Sequence, residues 1–139
     1  MKYMILMSGS QQDYDAMAGN APADQPAWSG KDFAAMGKFM ESFNRDLSES
    51  GELVDTRGLT APVHARRITL KQGVPVITDG PYPETQEVLA GYWIVECESF
   101  DRATAIAARL TECPGPYGPD YEGTVDVRPL ADSRHELEL

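Results

Sequence analysis

Cysteine and histidine are scarce, with two of each in 139 residues. Cys97 and Cys113 have neither CxxC spacing nor a histidine cluster nearby, so no metal site and no disulfide framework is indicated, and both read as buried structural thiols. Positive charge is also short. Twelve lysines and arginines stand against 22 aspartates and glutamates, a formal net charge of −10 without a basic cluster, which excludes nucleic acid as a partner. Long apolar runs are missing. Met4 to Met7 is the only one near the N-terminus, too short for a signal core or a membrane span, so a cytoplasmic protein with no membrane contact is expected. Neither a G-x-G-x-x-G or Gly-Lys-Ser/Thr phosphate loop nor a nucleophile-elbow serine occurs. Nucleotide and metal enzymes fall away, and no cofactor is expected.

What is present fits one domain over residues 1–130 with a polar tail at 131–139, because 42% hydrophobic content at this length supports one sizeable core. Lys2 to Ser8 predicts a strand whose unbroken Met-Ile-Leu-Met centre requires cover on both faces. Gly9 to Trp28 shows no period and reads as a long loop, a possible lid. Ser29 with Asp32 predicts a helix N-cap. Phe33, Met36, Met40, Phe43 and Leu47 then recur at helical spacing until Ser50-Gly51. Glu52 to Leu59 predicts a short strand, and Ala65 to Lys71 with Val74 to Asp79 a hairpin turning at Gln72-Gly73. A two-residue turn places Arg66 opposite Asp79 and Ile68 opposite Ile77. Leu89 to Cys97 is again apolar at even and odd positions. A second helix begins at N-cap Ser99, buries Ala103, Ile106, Ala107 and Leu110, and closes at Cys113-Pro114-Gly115-Pro116; the last strand is Gly123 to Arg128.

This order predicts an α+β, ferredoxin-like βαββαβ sandwich with an inserted β-hairpin. Two helices cover only one face of such a sheet. Two strands that need cover on both faces therefore predict a homodimer.

The run from Val74 to Tyr82 is the expected functional locus. Pro81 removes a ladder donor and pushes Gly80 toward an extended conformation, so the strand stops with Asp79 as its last side chain. Asp79-Gly80-Pro81-Tyr82-Pro83-Glu84-Thr85-Gln86-Glu87 followed by Leu89-Ala90-Gly91-Tyr92-Trp93-Ile94 resembles the signature of the YCII-related, or DGPF-domain, family. Met1-Lys2-Tyr3-Met4, Gly58-Leu59 and Val127-Arg128-Pro129-Leu130 fall at corresponding points. Tyr82 replaces the phenylalanine of the family name, and Gln86 stands where lysine is common. The resemblance implies a ferredoxin-like subunit pairing into a dimeric α/β barrel, similar in build to muconolactone isomerases. It implies no single reaction: some relatives look like lyases on oxidised aromatics, and others occur beside alternative sigma factors. The histidine proposed as an acid-base partner in shorter relatives has no counterpart on the first strand or helix here.

In the expected register His64, Arg66 and Asp79 project from one face. Asp79 and His64 then serve as catalytic acid and base, and Arg66 holds an anionic oxygen. The plainer alternative is an Arg66 to Asp79 cross-strand ion pair, with Asp79 capping its own turn and His64 solvated. Tyr82, Glu84 and Tyr92 are further substrate-binding candidates. Glu84 and Glu87 follow the turn and can point a second carboxylate into the same cleft, or equally suit a wet connection, and Tyr92 suits a core position whose hydroxyl needs a partner. Two functions follow: a cofactor-independent acid-base lyase or isomerase on a small cyclic or aromatic metabolite, or a non-catalytic ligand-binding or regulatory module acting as a homodimer. An Arg66 to Asp79 bridge filling the site favours the module.

Overall fold

A computed structural model describes residues 1–80 and 82–137. Strands β1 (Lys2–Gly9), β2 (Leu53–Gly58), β5 (Val88–Glu96) and β6 (Val125–Pro129) form one antiparallel sheet in the order β2-β5-β1-β6. β1 and β5 are central, as their apolar runs require. Three longer or shorter helices accompany them, α1 (Gln11–Met17), α2 (Gly30–Glu49) and α3 (Phe100–Leu110), before a final turn, α4 (Arg134–Leu137). The order of strands and helices is compatible with a ferredoxin-like α+β fold. One chain makes an open sheet rather than a closed barrel, since β2 and β6 remain as free edges.

α2 starts as its sequence demands. The Ser29 hydroxyl accepts the Asp32 N–H at 3.2 Å, and the Asp32 carboxylate accepts the Ser29 N–H at 2.8 Å. It ends in a Schellman motif: Gly51, at φ +78°, donates to Ser48 O while Glu52 donates to Leu47 O. Phe43 and Leu47 of its stripe are buried against Tyr3, Ile5, Trp93 and Val95 of the sheet and Ile106 and Leu110 of α3. Phe43 meets Trp93 edge-on, centroids 5.7 Å apart at 88°, and the Trp93 indole N–H donates to Asn44 at 2.8 Å. Cys97 is buried in this core as a free thiol.

β3 (Arg66–Lys71) and β4 (Val74–Asp79) form a separate two-stranded sheet, entered by a 3₁₀ turn, Pro62–His64. Register is as the two-residue turn predicts: Arg66 faces Asp79, Ile68 faces Ile77 and Lys71 faces Val74. Gln72 and Gly73 take the left-handed φ values, 50° and 79°, that a tight hairpin needs.

Two expectations are corrected. Residues 9–28 are not loop throughout, because Ser10 and Asp13 build a capping box that starts α1. Periodicity fails to find a helix of seven residues; its signal is the cap. Gly80 is not extended but sits at φ +53°, donating to Ala65 O at 3.0 Å. Glycine takes that left-handed bend without the penalty a Cβ would add. Pro81 itself, the expected terminator, and Glu138 and Leu139 of the expected tail lie outside the described residues.

Candidate functional site

The stripe on α2 is longer than the core beneath it. Phe43 and Leu47 are buried, but Met40 and Met36, one and two turns earlier, face a cleft of about 560 Å³ at one end of the main sheet. Its floor is the end of β1 (Met7 to Gly9), the end of β2 (Thr56 to Gly58) and the start of β5 (Ala90, Gly91). Gly91 is needed there: a Cβ would stand 3.2 Å from the Arg57 carbonyl, so the residue lets β2 and β5 approach closely. The volume lies within the range of small-molecule sites, roughly 300–1,000 Å³.

α1 closes one side. Its Tyr14 hydroxyl donates to the Leu59 carbonyl at 2.8 Å, Gln12 N–H to Glu84 O at 3.1 Å, and Trp28 N–H reaches back to Ala16 O at 3.2 Å. Asp13 is fixed at both oxygens, accepting Ser10 N–H at 2.8 Å and the Gln25 amide at 2.9 Å. Opposite stands the segment after α3. Tyr117 and Tyr121 stack face to face with centroids 3.9 Å apart, and Tyr117 meets Trp28 edge-on at 6.0 Å. Trp28 in turn packs on Phe33 of α2. Asp13 and the tyrosine pair also line a second hollow of about 400 Å³ behind this wall. The aromatic wall therefore separates two recesses.

Burial pushes the Tyr117 and Tyr121 phenols above the ordinary tyrosine range; Tyr121 and Asp13 add to the rise at Tyr117, and Asp13 adds to it at Tyr121, where Tyr117 acts in the opposite sense. Burial likewise raises Tyr14, with Asp13 contributing, and raises the Cys113 thiol, which lines the same cleft. At neutral pH these groups hold their protons. They offer hydrogen-bond donors and apolar surface, not a thiolate or phenolate nucleophile. Among the described residues no three His, Cys, Asp or Glu side chains converge as a metal site, and no helix is long and apolar enough to cross a membrane.

None of the six residues singled out from the sequence lines this cleft, but Glu87, weighed beside Glu84 as a second carboxylate, does. Arg66 and Asp79 pair across the hairpin, Nε to Oδ1 3.1 Å, with side chains 74% and 77% exposed. His64, exposed, ends the 3₁₀ turn, and Tyr82 is half-buried with the guanidinium of Arg67 4.2 Å above its ring. Glu84 is exposed and contributes its backbone carbonyl to α1. Tyr92 lies on the sheet face away from the helices, its hydroxyl donating to Asp55 at 3.1 Å. That hydrogen bond, with Asp55's charge, holds its phenol above the usual range. Five of the six thus belong to the region around the hairpin's foot, and the sixth to the open sheet face.

Trp28, Met36, Met40, Tyr117 and Tyr121 were missed as site residues. Two signals pointed to them: a helical stripe longer than one face of core needs, and a Pro-Gly-Pro-Tyr-Gly-Pro segment that sets tyrosines on a stiff connection.

A family model described as the YCII-related domain matches residues 1–114. An uncharacterised protein of Rhizobium meliloti (strain 1021) is 28% identical over 118 residues, covering 85% of this chain and 91% of that relative. Tyr117 and Tyr121 lie beyond the part that the family model matches.

Proposed function

The chain belongs to the YCII-related domain family, and from that premise we propose that it is a homodimeric small-molecule-binding protein of the cytoplasm whose working site is the cleft beside α2. The observation that carries this reading is the cleft itself, about 560 Å³, lined by both of the chain's tryptophans. Methionines and aromatic rings supply apolar contact, and the protonated phenols of Tyr117 and Tyr121 supply orientation. The Arg66 to Asp79 bridge speaks for the same reading, since a closed ion pair in water is an ordinary surface feature.

Because Trp28 and Trp93 both face the cleft, intrinsic fluorescence reports its occupancy. A metabolite library screened by thermal shift should yield compounds that also change tryptophan emission, since binding raises stability by mass action. Compounds that stabilise the protein while leaving both tryptophans unchanged would place binding elsewhere and end this reading.

A second reading keeps cofactor-independent acid-base chemistry, isomerisation or elimination, at the hairpin foot. It draws on Arg66 and Asp79 standing side by side at 3.1 Å with His64 on the adjoining turn. Their exposure weighs against it, because proton transfer is most effective where water is excluded. The homodimer rests on the sheet face opposite the buried Tyr3, Ile5, Trp93 and Val95, where Met4, Leu6, Tyr92 and Ile94 lie half-buried and no described helix packs.

A further inference from the structure

We propose that the cleft selects ligands that join a flat apolar body to a positive charge, of the arylammonium type, over carboxylates of similar size. The inference rests on the binding reading above. Trp28, Tyr117 and Tyr121 present ring faces and edges along one side, the surfaces on which an ammonium or guanidinium centre is held by the ring quadrupole. The charges around them share one sign. Asp13, Glu87, Glu122 and Asp126 line the cleft, and among the described residues Arg57 is its single cationic lining residue. Arg57 is already engaged, 2.9 Å from the Asp55 carboxylate and 2.8 Å from the Thr56 carbonyl. Asp13 is likewise held at both oxygens, which leaves Glu87, Glu122 and Asp126 to face a ligand. An entering carboxylate meets those three acids and a single arginine already paired; an entering ammonium meets the same carboxylates and the aromatic rings.

The two tyrosines register the same field from inside. Asp13 adds to the upward shift of both phenols, and Glu87 adds to that of Tyr121. The formal net charge of −10 extends the preference to the approach path, drawing cations and repelling anions. Apolar surface alone would not discriminate; the charge does.

Three phenyl probes test the proposal: phenyltrimethylammonium, its neutral carbon isostere tert-butylbenzene, and the anion benzoate. Titration followed by tryptophan emission should give phenyltrimethylammonium a dissociation constant at least tenfold below tert-butylbenzene, with no saturation by benzoate in the same range. Glu87→Gln combined with Glu122→Gln, both exposed positions, should weaken the cation several-fold and leave the neutral probe unchanged. Equal binding of cation and isostere, or tighter binding of benzoate, overturns the ligand class while leaving the cleft as a site. If none of the three changes tryptophan emission, the ligand class and the binding reading both fail.

Discussion

Gly80 shows how one residue can satisfy one rule and break another. The proline that follows disfavours helical backbone, yet the hairpin's foot needs φ +53°, and a Cβ there would stand 3.3 Å from the Val63 carbonyl. Gly80→Ala should cost about 1–2 kcal/mol in urea unfolding, through a left-handed alanine and the close carbonyl. The neighbouring Asp79 separates the two functional readings. Asp79→Asn should leave ligand binding unchanged and stability within about 0.5 kcal/mol if the cleft is the site, since both pair members are largely exposed. Loss of a turnover found in the parent would favour the hairpin foot instead. The Arg66 to Asp79 pair was legible in the sequence because a two-residue turn fixes register. The bend at Gly80 was not, because the Val63 carbonyl that shapes it comes from another part of the chain.

At the scale of elements, caps and stripes carried most of the information. Ser29 and Asp32 start α2, Gly51 stops it, and Ser99 starts α3 where the sequence puts them. The stripe on α2 was legible as apolar but not as divided, because periodicity reports a face and not what covers it. α1 escaped because seven residues give too little period to see. β2 and α3 are tied by a bidentate pair, Arg102 to Glu52, at 2.9 and 2.7 Å. The Arg102 hydrogen bond holds the Glu52 carboxyl below its ordinary range, and a smaller bond from Ser50 helps, against the burial that raises it. A depressed carboxylate stabilises the fold fully above its unfolded pKa, about 4.3, and loses that contribution as pH falls through the lower folded value. Glu52→Gln should therefore reduce stability at pH 7 by about 1 kcal/mol or less, given Arg102's exposure, and the difference from the parent should shrink below pH 4 in urea titrations at fixed temperature.

At the scale of the whole molecule, an α+β topology with one helical layer against the main sheet follows from the pattern of elements, and its consequence is a sheet face that no described helix covers. Met4, Leu6, Tyr92 and Ile94 lie on that side, and the proposed dimer covers them. Ile94→Asp should shift a micromolar sample to monomer in light scattering without loss of helical signal, because it places a charge in the centre of the buried patch. A parent that is itself monomeric at that concentration would remove the dimer. The position of the cleft was the part least legible, since it is assembled from strand ends, α1 and a connection that meet only after folding. The proposed function stands on that cleft. The two tryptophan side-chain N–H signals in a ¹⁵N-edited NMR titration with phenyltrimethylammonium test it most directly. Both should move, while the backbone amides of Arg66 and Asp79 stay in place; movement of those two amides with both indole signals unmoved would contradict it.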